Sequence, residues 1–261
     1  MNKIEIIDAT AQNISNFAMC GYKNVKQEGY RRKIEWLKQR FNEGLKYKFL
    51  YSEKDGAVGG IEYIPGEYAW RPVQAKDYMF IHCIYIMSRK YKNKGNGILL
   101  LEKCIKAARN ENMHGVAAVT RKGTWMVGEE LFLKQGFNVV DHAPPDFSLL
   151  VLKFNKDAPT PKFKANWEKI STKFSPGLTM LSSDQCPHTA KAITEICETA
   201  QKEYGVKVNI VELGNASEAQ DNPCAFGTFC ILYNGKIIAD HPISNTRFKN
   251  IMTKILSKDF S

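Results

Sequence analysis

Residues 1–155 alternate between two hydrophobic patterns, one typical of strands and the other typical of helices. The long apolar run over 78–87 is rich in aromatic and branched side chains, as expected of a central strand. In chain order, the pattern predicts a strand over 3–8, a helix over 30–41, strands over 49–51, 58–64 and 78–87, a helix over 98–109, a strand over 115–120, a helix over 126–135, and strands over 139–140 and 149–152. Because these elements include hairpins as well as alternating strands and helices, they predict a mixed α/β or α+β sheet.

A second pattern of the same kind follows a break. Residues 156–176 contain three prolines, five lysines and scattered apolar residues, which predicts a linker with one short helix near Trp167. Beyond it, the pattern predicts a strand over 178–181, a helix over 186–204, a strand over 206–213, a hairpin of strands 228–232 and 236–239, and a helix over 246–256. We therefore expect a first domain over 1–155, a linker over 156–176 and a smaller α/β domain over 177–261.

The composition is that of a globular protein, with 44% apolar and 25% charged residues, which excludes disordered and collagen-like chains. Lysine and arginine number 37 against 27 acidic residues, and residues 1–155 hold 24 of the basic and 16 of the acidic side chains. The net charge of +10 predicts an anionic partner: a nucleic acid, a membrane surface or a phosphorylated small molecule. No window approaches 18 uninterrupted apolar residues, which excludes a membrane span.

The seven cysteines are scattered, and no pair has the C-x-x-C spacing of a zinc ribbon or a dithiol motif. We therefore expect no metal site. The N-terminus also lacks the apolar stretch of a secretory signal. Both features favour the cytoplasm, where thiols stay reduced.

The densest basic run, residues 89–94, lies between the central strand and the next helix and is followed at once by Gly95-Asn96-Gly97. The N-terminus of a helix is an anion site, and glycine lets a phosphate approach the backbone. A dinucleotide fingerprint would need a third glycine where Leu100 stands, and no loop ending in Gly-Lys-Ser or Gly-Lys-Thr exists in the chain. The loop therefore predicts a phosphate-bearing ligand without matching either of those two motifs.

Residues 84–87 and the following run 91–98 resemble the acetyl-CoA motif of the GNAT N-acetyltransferases, in which an apolar strand precedes Arg/Gln-x-x-Gly-x-Gly/Ala and a helix. Lys92 stands at the Arg/Gln position, which keeps a donor but loses planar geometry. The element order over 3–153 and the segment 132–137 are also similar to this family. The resemblance implies that acetyl-CoA is the co-substrate, held by the backbone of Tyr85, Ile86, Met87, Lys92, Asn93, Lys94, Gly95, Asn96, Gly97 and Ile98.

Acetyl transfer needs a base for the acceptor amine and benefits from an acid for the CoA thiolate. Glu62 on the third strand and His82 on the central strand are the candidate bases, with an ordered water as the alternative. Many members of the family supply the acid from a tyrosine, but Phe132 stands at that position, and Trp125 replaces an asparagine often found seven residues earlier. The resemblance therefore assigns no proton donor here.

Residues 178–189 and 227–235 resemble the active-site corner and the facing segment of thioredoxin-like proteins. Thr189 replaces the resolving cysteine and Gly227 the cis-proline, so dithiol exchange within the motif is impossible. Cys186 is still a candidate reactive thiol, because a helix N-terminus lowers the pKa of a thiol. A GNAT domain followed by this module is similar to acetyltransferases that carry a YoaP-like C-terminal domain.

The sequence thus predicts an acyltransferase enzyme that moves an acetyl group from acetyl-CoA to a small-molecule or peptide amine. We expect the acceptor pocket between residues 14–30 and the aromatic loop 65–76. Two alternatives stay open: a thiol-based redox or thiol-transfer protein that uses Cys186, and a nucleic-acid-binding protein that uses the basic surface. The nucleic-acid alternative ranks last because no recognised motif supports it, and we expect no membrane partner.

Overall fold

The computed structural model describes residues 3–123, 125–164 and 167–258. The strands described up to residue 163 are β1 (Ile4–Asp8), β2 (Lys46–Ser52), β3 (Gly56–Pro65), β4 (Val73–Gln74), β5 (Tyr78–Ile86), β6 (Gly115–Arg121), β7 (Asn138–Ala143), β8 (Phe147–Lys153) and β9 (Lys162–Phe163). The α-helices among them are α1 (Glu28–Arg40), α2 (Asn96–Asn110) and α3 (Glu130–Leu133).

Seven of these strands form one sheet in the order β1-β2-β3-β5-β6-β8-β7. Neighbouring strands are antiparallel except β5 and β6, which run parallel. The pairing of β5 with β6 ends at Ile81 and Ala118, although the strands continue to Ile86 and Arg121. The two strands therefore part into a gap, which we call the wedge, where no described strand covers the facing edge of β5.

Helices pack on both faces of the seven-stranded sheet because each presents an apolar stripe at helical spacing. On one face, α2 contributes Leu101 and Cys104 to the apolar cluster that holds Ile84 of β5. On the other face, α1 contributes Ile34 and Leu37 to a larger cluster. The wedge thus has α2 on one side of the sheet and α1 on the other.

The remainder of the described chain forms a smaller unit. Its elements are α4 (Trp167–Ser171), β10 (Leu178–Ser182), α5 (Thr189–Tyr204), β11 (Val208–Glu212), α6 (Ala216–Gln220), β12 (Phe229–Tyr233), β13 (Lys236–Ala239) and α7 (Asn245–Lys258). The sheet order is β11-β10-β12-β13, with β10 parallel to β11 and antiparallel to β12. Asn234 and Gly235 turn the β12–β13 hairpin with φ of +47° and +74°, as a type I′ turn requires.

This second sheet packs on the α1 face of the first. The larger apolar cluster is continuous through both sheets and includes Phe80 of β5 and Leu181 of β10. Arg32 of α1 pairs with Asp184 at 2.7 Å across the boundary. Gly29 permits the close approach, because a Cβ there would lie 1.9 Å from the Pro187 carbonyl oxygen. The second unit is therefore packed directly against the first.

The predicted mixed α/β sheet is confirmed, but several predicted boundaries are wrong. The helix expected over 126–135 is reduced to α3, which begins only at Glu130 and ends at Leu133. The helix expected from residue 186 begins only at Thr189, after a turn in which the Thr189 N–H donates to the Cys186 carbonyl. The short helix α6 was not predicted.

The segment predicted as a linker, residues 156–176, contains β9, which pairs with β4 of the first unit, and α4. Residues 165 and 166 of that segment lie outside the described residues. The predicted domain limits of 1–155 and 177–261 stay a prediction. In the part of the chain that the structure describes, no helix combines the length and the apolarity needed to cross a membrane.

Candidate active site

The open edge of β5 presents backbone groups of alternate residues to the wedge. The Met87 N–H donates to the Val58 carbonyl at 2.9 Å, so these two residues form a hydrogen-bonded pair of β3 and β5. Bonded and non-bonded pairs alternate along antiparallel strands, and the N–H and C=O of Ile84 and Ile86 therefore point into the wedge. The same register turns the backbone groups of Tyr85 and Met87, two of the predicted contact residues, toward β3, and it turns those of Ile86 toward the wedge.

The loop from β5 to α2 carries a row of unpaired N–H groups. Gly95 has a left-handed φ of +76° and directly precedes α2. Within the described residues, the N–H groups of residues 93–98 donate to no other group, whereas the Lys92 N–H donates to the Arg89 carbonyl at 3.3 Å. The predicted loop residues all lie here or in the first turn of α2: Lys92, Asn93, Lys94, Gly95, Asn96, Gly97 and Ile98. We call these seven residues the glycine loop.

The side chains of the glycine loop add positive charge and leave the backbone accessible. Lys92 and Lys94 are exposed, and neither joins an ion pair with any described residue. A Cβ on Gly97 would lie 3.6 Å from Leu131, an ordinary contact, so the neighbouring side chains are not packed tightly against Gly97. Free N–H donors at a helix N-terminus, glycine and nearby ammonium groups form the donor set that suits a diphosphate.

A cavity of about 90 Å³ lies between the wedge and the second unit. Ile84 of β5 and Val119 of β6 line it on the wedge side. Gln185, Cys186 and Phe226 of the second unit line it on the other side. The cavity therefore joins the two units at the point where the strands part.

Glu62 lies at the centre of a buried polar network beside this cavity. Its carboxylate accepts hydrogen bonds from the Lys33 ammonium, from His82 Nδ1 at 3.0 Å and from Gln185 Nε2 at 3.0 Å. Burial opposes ionisation, but the charge of Lys33 and the hydrogen bond from His82 outweigh it and lower the pKa of Glu62 to about 2. Glu62 is therefore an ionised partner of Lys33 and a weak acceptor for a substrate proton.

His82, the other predicted base, has both ring nitrogens engaged. Its Nε2 accepts the Trp70 N–H at 2.9 Å, so Nδ1 carries the proton and donates to Glu62. Burial lowers the pKa of His82 to about 4, with Arg71 and Lys33 acting in the same direction. His82 is thus neutral and holds the Trp70 backbone, and it has no nitrogen free for a substrate in this arrangement.

Arg71 enters the same network from the loop after β3. Its guanidinium is buried and lines the cavity. Nη1 donates to the Trp70 carbonyl at 2.8 Å and to Gln185 Oε1 at 3.2 Å, and Nη2 donates to the His82 carbonyl at 3.3 Å. Arg71 thus connects the first sheet to the second unit.

Three thiols also line the cavity, those of Cys20, Cys83 and Cys186. Burial raises the pKa of Cys186 to about 11, and its helix begins three residues later, so the predicted lowering of this pKa is wrong. The hydrogen bond with Cys20 lowers the pKa of Cys83. Cys186 is therefore a half-buried wall residue whose raised pKa disfavours the thiolate form.

Two positions at which the resemblance would lead one to expect polar side chains, 125 and 132, carry aromatic ones here. Phe132 is buried in the cavity wall and offers no hydroxyl as a proton donor. Trp125 is partly exposed at the cavity and stacks edge-on against His188 of the second unit. Among the described residues, no group of three or more His, Cys, Asp and Glu side chains is arranged to hold a metal ion.

The sequence identified Glu62 and His82 but missed Lys33, Arg71 and Gln185, which surround them. Lys33 lies three residues after Tyr30 and four before Leu37, which is the spacing of the buried face of α1, and this spacing was the available signal for its burial. Arg71 lies within the loop 65–76 that we expected to border the acceptor pocket, and that expectation was the available signal.

The chain is similar to a known protein over nearly its whole length. A family model described as YoaP-like matches residues 208–250. The protein called "Uncharacterized N-acetyltransferase YoaP" from Bacillus subtilis (strain 168) is 30% identical over 253 residues, which cover 95% of this chain and 98% of that protein.

Two solved structures match somewhat more than half of the chain. The PaiA N-acetyltransferase of Thermoplasma acidophilum, in complex with coenzyme A, is 16% identical and covers 58% of this chain and 99% of its own, with a TM-score of 0.42. YncA of Salmonella typhimurium, solved with its cofactor acetyl-CoA, is 16% identical and covers 60% of this chain and 98% of its own, with a TM-score of 0.45.

Proposed function

The chain belongs to the YoaP-like family of N-acetyltransferases and is an acyltransferase, and from this premise we propose that it transfers acetyl groups from acetyl-CoA to an amine bound in the cavity. One observation carries the proposal. The wedge has unpaired N–H groups of the glycine loop at one end and a cavity between the two units at the other. A long cofactor with a diphosphate at one end and a reactive thioester at the other suits such a site.

The chain's own residues would hold acetyl-CoA mainly through backbone. The N–H groups of residues 93–98 bind the diphosphate, and the Lys92 and Lys94 side chains add attraction. The Ile84 and Ile86 backbone groups pair with the amides of the pantetheine arm as a neighbouring strand would. When bound, acetyl-CoA supplies an activated thioester whose acyl carbon the acceptor amine attacks.

The buried network limits how the acceptor loses its proton. Glu62 with a pKa of about 2 and His82 with a pKa of about 4 are poor bases near neutral pH. The acceptor must therefore arrive as the neutral amine or release its proton to water at the cavity mouth. We expect the rate to rise with pH until the acceptor's own pKa is passed, with no step near the pKa of an ordinary histidine.

We also propose that the second unit has a thioredoxin-like fold that has lost dithiol chemistry. The parallel pair β10–β11, the antiparallel hairpin β12–β13 and the helix α5 after β10 support this proposal. Thr189 stands in the place of a second cysteine, and the raised pKa of Cys186 argues against a reactive thiol. All seven cysteines are unpaired, which supports the cytoplasm as the location.

Calorimetric titration with acetyl-CoA tests the cofactor site. Wild-type protein should bind acetyl-CoA, and Gly97→Glu should bind it at least about 10-fold more weakly than the matched Gly97→Gln, because only the former places a negative charge beside the phosphates. The two variants add side chains of nearly the same volume. Absence of binding to wild-type protein, or equal binding by the two variants, would overturn the proposed site.

A second measurement follows release of the free CoA thiol while a panel of primary amines is added, with mass spectrometry of each product. A gain of one acetyl group on the amine nitrogen is the expected result. Hydrolysis of acetyl-CoA without any acetylated amine would speak against an N-acetyltransferase.

A further inference from the structure

Arg71 is a buried cation without a carboxylate partner. The side chain is 4% exposed, and none of the ion pairs formed by the described residues includes it. Lys33, equally buried on the opposite side of the network, is paired with Glu62. A buried charge without a partner is strongly destabilising, so an anion that reaches Arg71 would be bound tightly.

The guanidinium also has donors to spare. Of its five N–H groups, three donate to Trp70, Gln185 and His82, which leaves the Nε–H and one Nη2–H without a described acceptor. Nε and Nη2 share one edge of the planar group. Two parallel N–H bonds from that edge match the two oxygens of a carboxylate.

The charges around the cavity also favour a ligand with a negative charge at Arg71. The charged side chains in its wall are Lys33, Glu62 and Arg71, since His82 is neutral at pH 7. Lys33 and Glu62 cancel, so the wall carries one net positive charge, located at Arg71. A ligand with one negative charge at that point neutralises the cavity.

The rest of the cavity wall is mainly apolar. The Phe226 ring lies 5.5 Å from Arg71 Cζ, and Trp125 and Met126 form another part of the wall. Ile84 and Val119 carry the cavity to the wedge, where the thioester of acetyl-CoA is proposed to lie. A ligand held at Arg71 therefore places its apolar body against aromatic and thioether groups.

We propose that the acceptor is an apolar amino acid, or another primary amine with one carboxylate and an apolar body, whose carboxylate pairs with Arg71. This inference rests on the proposed acetyltransferase function. The acceptor nitrogen forms a bond to the acetyl carbon as the bond from that carbon to the CoA sulfur breaks. The amine releases one proton, and the CoA thiolate leaves and takes up a proton as free CoA.

The second unit then takes part in substrate specificity. Gln185 fixes the Arg71 guanidinium through Nη1, and Phe226 covers its face. Gly227 lets the second unit approach closely, since a Cβ there would lie 2.7 Å from Arg71 Cδ. The second unit thus positions the group that recognises the acceptor.

Pairs of substrates that differ only in the carboxylate test the inference. L-Leucine is compared with isopentylamine, and L-phenylalanine with phenethylamine, by kcat/KM for CoA release. We expect each amino acid to exceed its decarboxylated counterpart by about 100-fold, the loss typical of removing one partner from a buried, hydrogen-bonded charge pair. Equal rates for both members of each pair would overturn the inference and leave the acetyltransferase function in place.

Substitution of Arg71 separates recognition from folding. Arg71→Met should reduce the preference for amino acids to within about 5-fold, and Arg71→Lys should retain part of it because it keeps the charge but loses the planar pair of donors. Arg40→Met removes another buried guanidinium that is paired with Glu43 and does not line the cavity, so it should keep the full preference. A merely structural role for Arg71 would lower both rates of a pair equally.

A binding measurement gives a readout besides activity. Protein saturated with CoA is titrated with L-leucine and with isopentylamine by calorimetry, in wild type and in Arg71→Met. Only wild-type protein with L-leucine should give measurable binding heat. If wild-type protein binds acetyl-CoA but neither binds nor acetylates the amino acids, the inference is wrong. If acetyl-CoA itself does not bind, the proposed function fails first.

Discussion

The glycine loop and the cavity lie at opposite ends of the same wedge and are built in opposite ways. The loop presents the N–H groups of six consecutive residues, 93–98, at an exposed helix N-terminus. The cavity presents buried side chains from α1, β3, β5 and the turn before α5. A site made of neighbouring backbone groups depends on local sequence, whereas a site made of distant side chains depends on the whole fold.

The two ends also differ in how strongly the stability of the fold depends on them. The loop N–H groups and lysines face water, so leaving them unoccupied is only mildly unfavourable. Lys33, Glu62 and Arg71 have lost their hydration, and Lys33 and Glu62 depend on each other as an ion pair. Substitutions in the cavity should therefore change stability as well as function, and substitutions in the loop should change mainly ligand binding.

The largest expected effect follows from neutralising Glu62. Glu62→Gln keeps the shape but turns one accepting oxygen into an NH2 donor and leaves the Lys33 ammonium buried without a counter-charge. We expect the free energy of unfolding to fall by about 3–5 kcal/mol in urea titrations. The control is Glu35→Gln, which removes the exposed i,i+3 pair with Lys38 and should change stability by less than about 0.5 kcal/mol. Similar losses for both variants would mean that the buried pair is not coupled as the structure indicates.

A slightly smaller effect is expected where the second unit closes over Arg71. Gly227 has a φ of +78°, and a Cβ there would lie 2.6 Å from the Trp70 carbonyl oxygen. Gly227→Ala combines overpacking with left-handed strain, and we expect a loss of about 3 kcal/mol in unfolding free energy. Gly205→Ala, with a φ of +64° and open space around it, carries the strain alone and should lose about 1 kcal/mol. Equal losses would show that the contact with Trp70 can relax at no cost.

The glycine loop could be predicted from the sequence, whereas most of the cavity network could not. The strand–loop–helix succession around Gly95 was predicted because alternation, glycine and helical spacing are local signals. Glu62 and His82 were identified by residue type, but their partners Lys33 and Gln185 lie 29 and 123 positions from Glu62 along the chain. No local pattern records such a contact, so the network appears only when both sheets are in place.

The error at Cys186 has a related physical cause. The sequence places this cysteine before an amphipathic helix, which favours a lowered pKa. In the fold, the turn 185–188 packs against α1 and leaves Cys186 only half exposed, and desolvation raises the pKa of its thiol to about 11. The burial comes from the first unit, which the local sequence around Cys186 does not describe.

The pH dependence of stability tests the buried network in a different way. The folded-state pKa of His82 is about 4 against an ordinary 6.5, so the unfolded chain takes up a proton between these values that the folded chain refuses. Stability should therefore fall as pH is lowered, by about 2 kcal/mol between pH 7.5 and pH 5. His82→Gln removes this titration and should reduce the change in unfolding free energy over that interval, measured by urea unfolding at both pH values. An unchanged pH slope would contradict a neutral, buried His82.

The smallest effect is expected at the glycine loop, from its exposed lysines. Lys94→Ala should weaken acetyl-CoA binding by only about 2- to 5-fold, because an exposed ammonium contributes at most about 1 kcal/mol and water screens it. The effect should shrink further from 0.05 to 0.5 M salt, while thermal unfolding stays unchanged, in contrast to Glu62→Gln. A 100-fold loss that resists salt would instead show that Lys94 is desolvated when the cofactor binds. The glycine loop would then close over the diphosphate and resemble the cavity more than its exposed backbone suggests.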